Sequence, residues 1–137
     1  MANRVYTEGI LRRLPSEARL ISYEVDGALA AAVARRLPDR RLEVVNASAE
    51  KVRVHIEALG RGADVVVSSL PFSTLPESVR HDLLDAARDA LAPGGHFLVL
   101  QYSKTVLPEL ERRFPKVRQR FSPLNMPPAF LFACELS

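Results

Sequence analysis

Cysteine is almost missing from this chain: a single one, Cys134, stands among 137 residues. That excludes an internal disulfide framework and suits a reducing compartment, so a cytoplasmic location is expected. Cys134 lies within the apolar run AFLFACEL and reads as a core-filling residue. No apolar run approaches the roughly 20 residues of a membrane-spanning helix. The opening segment MANRVYTEG lacks the apolar centre of a signal peptide. The three histidines, His55, His81 and His96, have no cysteine or carboxylate at metal-ligand spacing, so no metal site is expected. Neither a G-x-S-x-G turn, a P-loop nor a Cys–His nucleophile pair occurs. Charge of one sign is also scarce: the formal net charge of +3 permits contact with nucleic acid or an anionic membrane and argues for neither.

What is present suits one soluble domain spanning residues 1–137. Apolar content of 47% and charged content of 26% are ordinary for a globular protein. A chain of this size buries about two-thirds of its unfolded surface, enough for a core without staples. Taken in order, TEGILRRL (Thr7–Leu14) has helical spacing, with Thr7 as a candidate N-cap and Pro15 as a stop. ARLISYEVD holds a strand over Arg19–Val25. Asp26 can cap the Ala-rich helix GALAAAVARRL, which Pro38 closes. RLEVVNA (Arg41–Ala47) is a third apolar run, and Ala49–Leu59 is a helix ending near Gly60 and Gly62. PESVRHDLLDAARDAL predicts an amphipathic helix over Pro76–Leu91. Pro93-Gly94-Gly95 turns the chain into a strand over His96–Tyr102. A short helix over Thr105–Phe114, interrupted or started by Pro108, precedes VRQRFS and AFLFACEL. These last two read as an antiparallel hairpin, the alternating VRQRFS nearer a sheet edge. The alternation of strands and helices specifies an α/β fold: a mostly parallel sheet covered on both faces, with an antiparallel C-terminal hairpin.

The stretch ADVVVSSLPFSTLP (Ala63–Pro76) organises the rest. Val65-Val66-Val67 fits a parallel strand buried on both faces, where no alternation is needed. Ser68-Ser69-Leu70-Pro71-Phe72 ends it sharply, since Pro71 lacks an N–H and holds Leu70 extended. In open α/β sheets ligands bind beyond the carboxyl ends of the strands. A small polar residue, a rigid proline and an aromatic ring there could wall a site. A plain strand exit with a loop proline and a core phenylalanine explains the same residues. The basic clusters Arg35-Arg36 with Arg40-Arg41, and Arg112-Arg113 with Lys116, Arg118 and Arg120, alternate with Asp39, Glu109 and Glu111. They read as solvated faces. The second, with Lys104, could also meet an anionic lipid surface or RNA.

Four segments in order carry a family resemblance: Ile21-Ser22-Tyr23-Glu24-Val25-Asp26, Val44-Val45-Asn46-Ala47-Ser48-Ala49, Ser69-Leu70-Pro71-Phe72 and Leu91-Ala92-Pro93-Gly94-Gly95-His96-Phe97. Together they resemble a class I S-adenosylmethionine-dependent methyltransferase, with a Rossmann-like sheet. Within that superfamily the chain is most similar to bacterial phospholipid N-methyltransferases and, more distantly, to rRNA adenine dimethyltransferases. Asn125-Met126-Pro127-Pro128-Ala129 resembles the Asn-Leu-Pro-Pro-Ala segment of the phospholipid group. The resemblance implies S-adenosylmethionine as cofactor, held by Glu24, Val25, Ser48, Ala49 and Ser68. Glu24 would accept hydrogen bonds from the ribose hydroxyls, because a carboxylate offers two oxygens to a vicinal diol. Ser48 matches a position that often carries an aspartate reading the adenine amino group. Ser69, Leu70, Pro71 and Phe72 match the motif found where a nitrogen is methylated. There side-chain and backbone oxygens hold the N–H groups at near-attack distance, and the ring packs on the nitrogen-bearing group. Ser69 would orient the acceptor and Phe72 would wall it.

One departure from the family pattern weighs on function. The first strand and its glycine-rich loop are not matched, and no glycine precedes Gly9, so the resemblance implies an N-terminally truncated version of the fold. In the family that strand lies between those read here at Arg19–Val25 and Ala63–Ser69, so its loss leaves two unpaired edges. Homo-oligomerisation or a strand-donating partner is therefore expected. Three functions stand at this point. The first is an N-methyltransferase of a lipid amine, peripheral to the membrane. The second is a catalytically inactive methyltransferase fold serving as a binding or dimerising module, and the third an RNA adenine methylase.

Overall fold

The computed structural model describes residues 2–68, 70–122 and 129–136. By its internal contacts the chain forms two compact units, Met1–Ala49 and Glu50–Ser137. In the first, helix α1 (Ala2–Arg13) precedes strand β1 (Leu20–Tyr23), helix α2 (Gly27–Arg36) and strand β2 (Leu42–Val45). Helix α1 already begins at Ala2, so Thr7 lies inside it and is not its cap. Nothing in Ala2–Tyr6 breaks a helix, which is why the winding extends past the expected start. Strands β1 and β2 pair in parallel from Leu20↔Leu42 to Tyr23↔Val45. Between them α2 is capped as its sequence demands: the Asp26 carboxylate accepts the Ala28 and Leu29 N–H groups at 2.9 and 3.1 Å.

The second unit opens with a short 3₁₀ turn and helix α3 (Val52–Leu59), which ends on Gly60 at φ 74°. Strand β3 (Ala63–Ser68), helix α4 (Glu77–Ala90), strand β4 (Leu91–Gln101), helix α5 (Leu107–Arg113) and strands β5 (Lys116–Ser122) and β6 (Ala129–Glu135) follow. The sheet order is β3-β4-β6-β5, with β3 parallel to β4 and the closing hairpin antiparallel. The strands are thus distributed over two sheets, and β5 takes the edge its alternating sequence predicts.

One face of this larger sheet carries the core. Phe97, Val99, Phe132 and Cys134 are at most 1% exposed, and Leu84 and Leu110 from the helical layer, with Phe114 just after α5, are at most 2% exposed. The rings of Phe97 and Phe114 lie 5.8 Å apart. Each such large apolar side chain contributes about 1.5–3 kcal/mol on burial, so this layer dominates the stability of the unit. Ion pairs fasten its helices: Arg53 to Asp89 joins α3 to α4, and Arg113 to Asp85 joins α5 to α4. Arg113 holds the Asp85 carboxyl below its ordinary range.

Strand β3 differs from expectation. Val65 and Val67 are each half exposed, so the strand is not covered on both faces. The register explains why: Val65 pairs with His96 and Val67 with Leu98, which alternate with the core residues Phe97 and Val99. Both valines therefore stand on the sheet face opposite the core. Cys134 is fully buried, and burial pushes its thiol up to about 12. No helix among the described residues is long and apolar enough to cross a membrane.

Candidate functional site

The first unit presents a polar rim beyond the carboxyl ends of its two parallel strands. The Glu24 N–H continues the ladder by donating to the Val45 carbonyl at 3.0 Å. Its carboxylate then accepts the Asp26 N–H at 3.2 Å. Asn46, just past β2, fixes the bend from the other side. Its Nδ2 donates to the carbonyls of both Glu24 (2.9 Å) and Val25 (3.0 Å). The chain therefore leaves β1 in a defined direction, and Val25 stands 69% exposed at the tip. Ser48 and Ala49 follow β2 and are half buried. Glu24, Val25, Ser48 and Ala49 all belong to this unit, whereas Ser68 and Leu70-Pro71-Phe72 belong to the second. In the sequence Asn46 stands only within the Val44–Ala49 segment and carries no assigned role. The signal for its role is a lone amide at the end of an apolar strand.

In the second unit the turn after β3 is closely specified. Pro71 sits at φ −80°, ψ 74°, and the Phe72 N–H donates back to the Leu70 carbonyl at 2.9 Å. This is an inverse γ-turn, which proline's fixed φ favours. The Ser68 hydroxyl accepts the Leu70 N–H at 3.2 Å. From β4, Gln101 Nε2 donates to the same Leu70 carbonyl at 2.6 Å. A carbonyl oxygen has two lone pairs, and both are now engaged. The Leu70 oxygen is thus a structural acceptor with no capacity left to hold an amine. The Phe72 ring is 1% exposed and packs in the core. Its place is beneath the turn, and it presents no aromatic wall at the surface of this unit. Ser69, expected to orient an acceptor, lies outside the described residues, as do Asn125, Met126, Pro127 and Pro128 of the Asn-Met-Pro-Pro-Ala segment. Ala129, which closes that segment, is buried and pairs with Ser122.

Gln101 escaped the reading of the sequence. It closes the apolar run FLVLQ, is 3% exposed, and pairs in the sheet with Phe130. Through it the Leu70-Pro71 turn is tied to the end of β6 that carries an aromatic patch. There Phe130 lies 4.9 Å from Phe121 and 6.3 Å from Phe132, and Lys104 Nζ stands 5.3 Å from the Phe130 centroid. Phe121 is more than half exposed, as is Tyr102 just after β4. The basic and acidic residues expected to form solvated faces are partly internal instead. Arg41 pairs with Asp39 at 2.6 Å and donates to the Leu14 carbonyl at 2.7 Å. Glu109 is buried, where Arg80 Nε meets its carboxylate at 2.6 Å and His81 its other oxygen. No cluster of histidine, cysteine and carboxylate suited to a metal ion occurs among the described residues.

No protein-family model matches the chain. Solved methyltransferases share its fold. N-methyltransferase NodS from Bradyrhizobium japonicum, in complex with S-adenosyl-L-homocysteine, superposes with a TM-score of 0.68 over 86% of this chain and 66% of its own, at 14% identity. An rRNA methylase from Streptococcus thermophilus gives 0.63 over 87% of this chain and 74% of its own, at 15% identity. Such identities speak for the fold alone. Sequence similarity to a curated protein goes further, and the chain belongs to the class I S-adenosylmethionine-dependent methyltransferases. That relative is the ornithine lipid N-methyltransferase of Singulisphaera acidiphila, 30% identical over 131 residues, 93% of this chain and 68% of the relative.

Proposed function

We propose that the chain transfers a methyl group from S-adenosylmethionine to the amine of a membrane lipid. The observation that carries this reading is the linkage through Gln101. It joins the turn matching the nitrogen-methylation motif to the end of β6, where Phe130 lies between the half-exposed Phe121 ring and the Lys104 ammonium. Aromatic rings with a cation beside them suit the interface of a lipid bilayer, where an apolar body enters the headgroup layer and a charge stays wet. The similarity to a protein named for an ornithine lipid points the same way.

The residues at the rim of the first unit fit the adenosine half of the cofactor. Glu24 offers a carboxylate, with two acceptor oxygens, to the vicinal ribose hydroxyls. Val25 offers an exposed apolar surface to the adenine face, and Ser48 and Ala49, just past the neighbouring strand β2, are the further residues assigned to the nucleoside. Bound S-adenosylmethionine supplies an electrophilic methyl group on a sulfonium. The protein then has to orient a neutral amine lone pair and exclude water, for which no strong base is required. With the Leu70 oxygen occupied, that orientation falls to the serines of the turn, Ser68 and Ser69. Phe72 and Gln101 act as positioning residues that hold the turn still.

A strand-pairing partner also fits the reading. Strand β3 bonds to β4 on one side and to no described strand on the other, and its half-exposed valines favour association with a second copy.

The test uses the purified chain with methyl-labelled S-adenosylmethionine, vesicles of amine-bearing lipids and, separately, structured RNA. Label in the lipid is expected. Label in RNA, or binding of cofactor with transfer to neither, would overturn the lipid reading.

A further inference from the structure

The second unit contains a cavity of about 150 Å³ lined by Ser73, Arg80, Thr105, Val106 and Glu109. Ser73 belongs to the 3₁₀ turn Phe72–Thr74, which continues directly from the Leu70-Pro71 turn. Thr105 lies in the loop between β4 and α5. The cavity is too small for a lipid or a nucleoside, since pockets for such ligands start near 300 Å³. It has room for one small group.

Its lining decides the sign of that group. Glu109 is buried, and both its oxygens are engaged: Arg80 Nε donates a charge-assisted hydrogen bond to one, and His81 Nε2 lies against the other. A buried carboxylate so compensated does not call for a cation. The capacity left over is for donation. Arg80 spends Nε on Glu109 and directs Nη1 at the Leu75 carbonyl at 3.4 Å, and its Nη2 meets no described acceptor. The Ser73 hydroxyl bonds to no described residue. The Thr105 hydroxyl shares one hydrogen bond with Ser103 at 2.9 Å. A guanidinium edge and hydroxyls around a small void are a receptor for an oxoanion, with the planar fork suited to two oxygens.

We infer that this cavity binds an oxoanion carried by the methyl acceptor, a carboxylate or phosphate a few bonds from the amine. The inference rests on the lipid-amine reading for the identity of the ligand, though not for the existence of the site. An anchored oxoanion limits where the neighbouring amine can reach, which selects zwitterionic headgroups over simple amines. Ser73 is the residue to alter first, because its exposed turn position and lack of described partners leave the fold undisturbed.

Two measurements test this. In the first, amide and Arg80 Nε–H shifts are followed during titration with inorganic phosphate or acetate, with chloride as control. Saturable shifts at Ser73, Arg80 and Thr105 are expected, weakened about tenfold in Ser73→Ala. Shifts no larger than chloride's, or unchanged in the variant, overturn the subsite whatever the enzyme methylates. In the second, KM is compared for a carboxylate-bearing amine lipid, a phosphodiester amine lipid and a long-chain alkylamine. Ser73→Ala and Arg80→Lys should raise KM about tenfold for the zwitterionic acceptor used and leave the alkylamine unaffected. The larger effect identifies carboxylate or phosphate as the natural group, while equal effects on all three overturn the selective role. If phosphate binds at Ser73 but no lipid is methylated, the subsite stands and the lipid reading fails.

Discussion

Gln101 joins two elements through one atom. Its Nε2 donates to the carbonyls of Leu70 and Leu100 from a site 3% exposed, so Gln101→Leu keeps the volume and deletes the donor. Each hydrogen bond contributes about 1 kcal/mol, so losing both leaves the fold intact. The turn it restrains should loosen. The expected result is about tenfold lower turnover with unchanged cofactor affinity, and faster hydrogen exchange at the Phe72 amide; unchanged turnover would dismiss Gln101 as a positioning residue. Asp39 gives a second expectation. The Arg41 side chain, and then its backbone N–H, hold the Asp39 carboxyl at about 2, against an ordinary value near 3.9. A carboxyl depressed by folding stabilises fully above the higher value and loses that contribution as pH falls toward the lower. Urea midpoints of the native chain should therefore fall more steeply between pH 4 and 2 than those of Arg41→Gln, which keeps only the backbone bond. At this scale sequence shows what is local. Asp26 is legible as a cap because its partners lie two and three residues ahead. The occupied Leu70 oxygen is not, because its second donor lies 31 residues away.

Between elements, the junction of β3 and β4 depends on Gly62. A Cβ there would lie 2.6 Å from the Ala92 nitrogen and 2.7 Å from its Cα, backbone atoms that cannot step aside. Gly62→Ala should separate Ala63 from Leu91, where the two strands begin to pair, and cost about 1–3 kcal/mol in denaturant unfolding. Gly9→Ala is the control: within α1 its Cβ would meet only the end of Arg13 at 3.9 Å, so it should stabilise by up to about 1 kcal/mol. Equal midpoints for the two variants would contradict the account. Elements themselves were legible where periodicity met punctuation, as in α4, whose Leu83, Leu84 and Ala87 are buried as its stripe predicts. Glycine near 60–62 was legible as a helix end. Its second task, admitting another backbone, leaves no trace in sequence because the neighbour is about 30 residues distant. The double covering expected for β3 failed for a related reason. Three valines in a row announce a strand but not what lies against each face.

For the whole molecule, the alternating order of strands and helices announced the fold class, and it could not announce which strand edges stay open. The side of β3 that pairs with no described strand leads to an expectation of concentration-dependent dimers in sedimentation, abolished by Val65→Lys with Val67→Lys; monomers alone at high concentration would refute it. Membrane contact separates into two physical terms. The net charge of +3 and the exposed Arg118 and Arg120 of β5 supply an attraction that salt screens over about 8–10 Å. Phe121 and Tyr102 supply an apolar term that salt does not screen. Arg118→Gln with Arg120→Gln lowers the net charge from +3 to about +1 and should therefore reduce the salt dependence of binding to anionic vesicles while leaving a residual affinity. Phe121→Ser should lower affinity at every salt concentration. Co-sedimentation with vesicles of graded anionic content distinguishes them. A chain whose binding vanishes with salt alone would be held by charge, and the aromatic patch would then have no part in presenting the lipid amine to the Leu70-Pro71 turn.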